Sequence, residues 1–278
     1  MKIRRGIGLS FALAALVIDA AFAQGGIRLA PQDFLQPGLR SGPVRFCINT
    51  ASILADFDRA VADLIAETML VESTLHDIVD PYLRPSPYDY RIIRSSPDFY
   101  VDVINDCDAV MGYPLPDGTV PNWLTVSRPY YTSSVVLVAT DESFRRLGDI
   151  PHDRPIGGRI RDDTLFRAYL TTLPQGRSWR LVPYLHNNLL LEAVIEGSVA
   201  AAVVWEPASA FYLALEGQSA PPMHVVEVPV DLKTVELAVA FRAGDAFLRS
   251  AIDAAIDELA ADGLLRQLAA EFALPAPP

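Results

Sequence analysis

Basic residues are scarce in this chain. It carries 23 Lys and Arg against 34 Asp and Glu, a formal net charge of −11. A surface of that sign repels phosphate backbones, and no basic stripe interrupts it, so nucleic acid is not an expected partner. Cysteine is scarcer still, at two residues, and the four histidines are scattered over positions 76, 152, 186 and 224. A zinc centre needs more ligands at closer spacing, so no metal site is expected. The signatures of catalysis are missing too. There is no Gly-x-Ser-x-Gly elbow, no His-Glu-x-x-His, no Walker loop and no Gly-x-Gly-x-x-Gly fingerprint. Gly157-Gly158 is too short to cradle a pyrophosphate. The expectation is a protein without a cofactor and without enzymatic activity.

Long apolar runs are limited to one. Ile7 to Ile18 is apolar, with Lys2, Arg4 and Arg5 ahead of it and Ala21-Phe22-Ala23 behind it. A basic start, an apolar middle and a small-x-small site read as a signal peptide over 1–23, cleaved after Ala23. The run is too short for a membrane span, and Asp19 interrupts it. No lipobox cysteine lies near the cleavage site, so the expectation is a periplasmic protein with no membrane anchor. Export also bears on Cys47 and Cys107, because an even count in an exported chain favours a disulfide. Cys47 sits in the first expected strand and Cys107 opens the third. As neighbours in a parallel sheet, those strands would bring the two Cα atoms within bonding range.

What the chain does have is apolar content, at 51%. That suffices for a sizeable core. Residues 24–43 read as an irregular N-terminal arm rich in Gly, Pro and Gln. Val44–Ile48 is a strand, followed by a polar loop from Asn49 to Ser52. Phe57, Val61, Leu64, Ile65 and Met69 then fall on one helical face. Asp80 to Pro87 is a loop, and Tyr88–Ile93 alternates as a second strand. A short helix over Phe99–Ile104 follows, then a third strand, Cys107–Gly112, ending on its glycine. The theme repeats downstream. Pro155–Ile160 is a strand and loop, and Asp162-Asp163-Thr164 is positioned to cap a helix through Leu170. Arg180–Pro183 is a short strand, and Asn187-Asn188 precede a helix with Leu190, Leu191, Val194 and Ile195, stopped at Gly197. Val199–Val204 is a buried strand leading into Trp205-Glu206-Pro207. Helices over Phe247–Leu259 and Leu264–Phe272 are separated by Gly263.

Strand alternating with helix implies parallel α/β sheets. Two stretches, Ser127–Thr140 and Val235–Arg242, read as crossings between two lobes. The expected architecture is therefore a two-lobe α/β fold, each lobe a mostly parallel sheet flanked by helices. Lobe 1 takes 44–138 and 236–278, including the C-terminal helices, and lobe 2 takes 139–235. Ligands of open α/β sheets bind beyond strand C-terminal ends. That rule selects Asn49, Thr50 and Ser52 after the first strand and Tyr113 after the third. In lobe 2 it selects Arg159, Asp162, Thr164, Trp205 and Glu206, with Arg128, Tyr130 and Tyr131 at the crossing. Tyr113, Trp123, Tyr130, Tyr131, Trp205 and Tyr212 would form an aromatic rim, the residue types that dominate interfaces.

Pro129-Tyr130-Tyr131 before a β-branched strand resembles the crossing of type II periplasmic solute-binding proteins (family 3). So do the return strand Leu237–Asp245 and the later Asp262-Gly-Leu-Leu-Arg-Gln-Leu268. A narrower resemblance rests on the Cys47 strand, Cys107–Gly112, Ser127–Ser134 and Ala202–Pro207 with Phe211-Tyr212. These are similar to the quinoprotein dehydrogenase-associated members of that family, the MxaJ and XoxJ group. The narrower resemblance implies a periplasmic accessory to a PQQ-dependent methanol or alcohol dehydrogenase. Its partners would be the dehydrogenase, its cytochrome c, and a small polar ligand. The alternative is an ABC-transporter binding protein for a polar small molecule other than an α-amino acid. The Thr-x-x-Arg with which amino-acid-binding relatives hold a carboxylate is replaced here by Pro116–Trp123, which contains no cation.

Overall fold

A computed structural model describes residues 42–79, 106–115, 120, 124–160, 162–174, 176–217 and 221–276. The expected signal peptide, most of the N-terminal arm, the strand at Tyr88–Ile93 and the helix at Phe99–Ile104 lie outside them. So does Trp123 with most of the segment that replaces Thr-x-x-Arg. Among the described residues no helix is long and apolar enough to cross a membrane.

The first sheet grows from β1 (Val44–Asn49), whose last four residues are buried. Helix α1 (Ala55–Thr68) follows and buries Phe57, Val61, Ala62 and Ile65, the stripe its spacing requires. Strands β2 (Ser73–Ile78) and β3 (Ala109–Pro114) both run parallel to β1, with Cys47 opposite His76 on one side and Val110 on the other. Strand β4 (Leu124–Val126) comes next, and then the nine-residue β5 (Tyr131–Ala139). Here the chain changes sheet.

The second sheet is assembled from the next hundred residues or so. Its strands are β6 (Ile156–Arg159), β7 (Leu181–Tyr184), β8 (Ala201–Trp205) and β9 (His224–Val226). Helices α2 (Thr164–Thr172), α3 (Asn187–Ile195) and α4 (Glu206–Glu216) lie between them. Strand β6 is parallel to both β7 and β8. The chain then returns through β10 (Thr234–Arg242) and closes with α5 (Ala246–Ala261) and α6 (Leu264–Glu271). Gly263, at φ +77°, separates those two helices in the left-handed conformation that glycine adopts without steric cost.

Strand order is β2-β1-β3-β10-β5-β8-β6-β7, with β4 on β10 and β9 on β5. Strand β5 therefore belongs to both halves. Tyr131 to Ser134 pair with β10, and Val135 to Val138 pair with β8. The fold is a mixed α/β structure in which two parallel sets of strands are joined through antiparallel crossings. Strand β10 pairs with β3, β4 and β5, so it is a central strand of the first sheet that begins at the return point.

One hydrophobic cluster runs across both halves, taking in Phe57, Ile65 and Ile252 beside Leu191, Val204 and Trp205. A second lies on the other face of the second sheet around Phe144, Ile156, Phe166 and Trp179. A third, smaller one contains Cys47, Cys107, Val110 and Leu124. The disulfide Cys47–Cys107 is formed, with Cα atoms 5.9 Å apart and both side chains buried. It ties β1 to the entry of β3.

Several local expectations need correction. The strand beside β1 is Ser73–Ile78, in a stretch with no apolar alternation. It is the outermost strand in the sheet order, and four of its six residues are exposed, so no buried face marks it in sequence. Strand β3 does not end on Gly112 but continues to Pro114. Thr164 does start α2, yet no side chain caps that helix. The carboxylate of Asp162 turns to Arg159 and that of Asp163 to Arg167. Helix α4 was not expected, although Pro207 in its first turn is a standard start signal.

Candidate functional site

The C-terminal ends of β1, β6 and β8 and the head of β5 carry most of the residues selected from the sequence. At the end of β1 the polar loop is occupied in building its own turn. Asn49 Oδ1 accepts the N–H of Ala51 at 3.1 Å, and Ser52 Oγ accepts that of Leu54 at 3.1 Å. Thr50 is exposed and donates its hydroxyl to the Ile78 carbonyl at 3.3 Å. These contacts set the entry angle of α1, so the loop is pre-organised.

The crossing is the most heavily constructed part. Tyr130 is buried, donates to Asp58 Oδ1 at 2.5 Å and accepts the Gly112 N–H at 2.8 Å. Gly112 has φ +73°, and a Cβ there would lie 2.7 Å from Asp58 Oδ2. Only a glycine lets β3 pass that close to the acid. Burial raises the Asp58 carboxyl from 3.8 to about 7, while the bond from Tyr130 acts to lower it. Tyr131 packs edge-on to Phe57 at 5.3 Å and donates its hydroxyl to the Pro275 carbonyl at 3.2 Å. Its phenol is pushed up by burial first and by the Glu206 charge second, which places that carboxylate within electrostatic reach. Trp205, also buried, donates from Nε1 to Ser133 Oγ at 2.8 Å, fastening the end of β8 to β5. Glu206 follows, half-buried, its own carboxyl raised by desolvation. Among the described residues no cation pairs with it.

The second-sheet end holds Arg159, whose Nη1 donates to Asp162 Oδ2 at 2.8 Å in a buried pair. Thr164 lies exposed on the first turn of α2. Asp163 is buried and bound to Arg167 at 2.7 Å. Burial raises its carboxyl, and the arginine offsets part of that.

The structure thus brings Tyr130, Tyr131, Trp205 and Glu206 to one crossing and Arg159 and Asp162 to one strand end. Tyr113 lies half-buried inside β3, opposite Ala238. Arg128 goes elsewhere: it is exposed and held by Asp253 and Asp257 of α5. Of the expected aromatic rim, Tyr130, Tyr131, Trp205 and Tyr212 are each at most 5% exposed, Tyr113 is half-buried, and Trp123 lies outside the described residues. Two contributors escaped the sequence reading. Asp58 lies in the first turn of α1, and positions 58, 61, 62 and 65 share one face, which puts it on the buried stripe. Ser133 carried no signal beyond strand alternation. A groove of about 490 Å³ lies apart from all of these, among Arg146, Leu147, Asp149, Tyr169, Trp179 and Glu227.

No protein-family model matches this chain, and no curated protein matches it. Solved structures do. An ancestral cationic amino acid solute-binding protein superimposes with a TM-score of 0.57 at 17% identity, covering 84% of this chain and 96% of its own. The ligand-binding core of GluR0 in complex with L-glutamate gives 0.54 at 12% identity, covering 83% and 97%. An amino acid ABC transporter substrate-binding protein from Streptococcus pneumoniae, bound to L-arginine, gives 0.53 at 15%, covering 84% and 95%. At these identities the likeness is one of fold. The chain has the two-lobe architecture of type II periplasmic binding proteins.

Proposed function

We propose that this protein is a non-enzymatic solute-binding protein that holds a small polar molecule, other than a free α-amino acid, between its two halves. The observation that carries the reading is the change of partner along β5. Two sets of parallel strands meet at one crossing, their C-terminal ends carrying Asn49 on one side and Arg159 and Glu206 on the other. That is where open α/β sheets take ligands. The three structural neighbours are named as solute-binding or ligand-binding proteins, which supports the same class. The expected absence of a carboxylate-holding Thr-x-x-Arg argues against amino acids, because an unpaired buried carboxylate costs several kcal/mol.

A second proposal is the accessory role to a periplasmic quinoprotein dehydrogenase. It rests on the resemblance of Ser127–Ser134 and Ala202–Pro207, and the acidic composition would suit a basic partner. Tyr130, Tyr131 and Trp205 are enclosed, so that role would need other residues to meet the partner.

Thermal melts of the purified chain against a library of polar solutes test the first reading. A true ligand at a hundredfold excess over Kd stabilises by about 2.7 kcal/mol, a shift of a few degrees. A library without a single saturable stabiliser, together with co-purification of a dehydrogenase, would reverse the order of the two proposals.

A further inference from the structure

The groove beside the second hydrophobic cluster is assembled from stretches of chain that the crossing does not use. Residues 145–149 are pinned to 227–229 through the backbone. The Leu147 N–H donates to the Glu227 carbonyl at 2.8 Å, and the Glu227 N–H donates to the Arg145 carbonyl at 2.9 Å. Tyr169 of α2 and Trp179 complete the lining. Leu147 and Trp179 are 3% and 8% exposed and belong to the cluster itself, so they form the floor. Trp179 is held in place, its Nε1 donating to the Ile150 carbonyl at 2.9 Å and its ring packing on His152 at 4.4 Å. Tyr169 and Val228 are half-buried above that floor. At about 490 Å³ the groove has room for a small organic molecule.

Its polar groups carry a definite sign. Three charged side chains line it, Arg146, Asp149 and Glu227. Arg146 Nε pairs with Glu227 Oε2 at 3.2 Å, so those two charges cancel. Asp149 Oδ2 accepts the N–H groups of Arg145 and Arg146 at 3.0 and 2.7 Å, which fixes the carboxylate without neutralising it. Its Oδ1 has no partner among the described residues, and no ion pair there takes up its charge. The faces of Tyr169 and Trp179 are the negative side of each ring's quadrupole, which attracts cations. An apolar floor, two aromatic rings and one uncompensated carboxylate therefore select a cation with an apolar body. An anion would meet Asp149 unpaired, and an apolar neutral solute would leave Oδ1 unused. Gly148 stands at the rim with nothing within 4 Å of where a Cβ would lie, so the groove is open on that side.

We propose that this groove is a second small-molecule site, separate from the crossing, and that it takes a protonated amine with an apolar body. The ammonium group donates to Asp149 Oδ1, and the body lies over Leu147 against Trp179 and Tyr169. Arg146 tempers the affinity, because its own cation stands at the same rim. The site does not rest on the solute-binding reading of the crossing, and either can fail alone.

Calorimetry with the full mature chain tests it, using 2-phenylethylamine as the probe, with 2-phenylethanol and phenylacetate as neutral and anionic controls. The amine is expected to bind saturably and about tenfold tighter than the alcohol, the worth of one charge-assisted hydrogen bond. Asp149→Asn still accepts the two loop N–H groups and should abolish the advantage of amine over alcohol. A merely structural role for Asp149 would not move that ratio. Gly148→Phe should weaken amine and alcohol alike by occupying the groove, and it covers the case in which the asparagine variant fails to fold. Arg146→Gln frees the Glu227 charge and should tighten the amine several-fold. An amine advantage that survives Asp149→Asn places the amine elsewhere and overturns the proposal. Equal binding of amine, alcohol and acid, or no binding of the amine, overturns it too. If other solutes bind and the amine does not, the groove falls and the solute-binding reading stands.

Discussion

Tyr130 donates its phenolic hydrogen to Asp58 Oδ1 at 2.5 Å, joining the approach to β5 to the first turn of α1. The N–H of Gly112 closes on the same phenol at 2.8 Å, so three elements share one buried acid. A carboxyl in that position makes the crossing sensitive to protons, to backbone substitutions and to side-chain volume.

The first prediction concerns pH. Burial lifts the Asp58 carboxyl to about 7, against 3.8 for the free group. Between those values the folded chain keeps a proton that the unfolded chain has released. Stability therefore falls as pH rises through that window, by up to about 1.4 kcal/mol per pH unit for this one group. Denaturant titrations at several pH values from 4 to 8 should show the decline, and Asp58→Asn should flatten it. A slope that is the same in both proteins assigns the effect to other groups.

Gly112→Ala should destabilise for two separable reasons. The left-handed backbone costs about 1–3 kcal/mol in a residue with a Cβ. The new methyl also meets Asp58 Oδ2 at 2.7 Å. Combining it with Asp58→Ala removes the clash and leaves the backbone cost. Melts of both single variants and the double variant should show less than additive loss.

The disulfide should contribute more than any one contact of the sheet. Its sequence separation of 60 corresponds to about 4 kcal/mol in the chain-entropy expression. Replacing both cysteines by alanine should lower the unfolding free energy by about 2–5 kcal/mol. Thiol titration of the unreduced, unfolded protein should find no free sulfhydryl. Two reactive thiols would contradict the bridge.

Trp205→Phe should strand the Ser133 hydroxyl, which is fully enclosed, at a cost of about 1–3 kcal/mol. Ser133→Ala strands the indole N–H instead. A double-mutant cycle should show the pair costing less than the sum of the single changes, by about 1 kcal/mol. Strict additivity would mean that the bond carries no coupling between β8 and β5.

The sequence made some of this legible and hid the rest for physical reasons. Strands β1, β5, β8 and β10 are runs of buried apolar residues, and α1, α3 and α5 show helical stripes, so their positions could be read directly. Strand β2 was hidden because Ser-Thr-Leu-His-Asp-Ile lies at the margin of the sheet and needs no apolar face. The break before α6 was visible in Gly263, whereas the true role of Gly112 was not. Its constraint comes from Asp58, more than fifty positions away. At the site, the ends of strands could be named, but not which polar groups would be spent on the fold. Arg128 and Arg159 are alike in sequence terms. One is tied down by two aspartates of α5, and the other keeps an unmet donor, a difference that exists only after packing.

The double membership of β5 has a further consequence, for the order in which the chain assembles. Strands β6 to β9 and their helices are contiguous in sequence, so their contacts need only short loop closures. The first sheet must wait for β10, whose Ala240 meets Val110 across more than a hundred intervening positions. Long-range closures of that kind are the slow ones. A nascent chain released before Thr234 would hold all of the second sheet and only the flanks of the first. Strands β3 and β5 would then lie without the partner that belongs between them, with exposed edges open to the wrong strand. The stretch from Thr234 onward, about the last sixth of the chain, is thus where folding commits, and early truncation there should favour aggregation over a stable half-molecule.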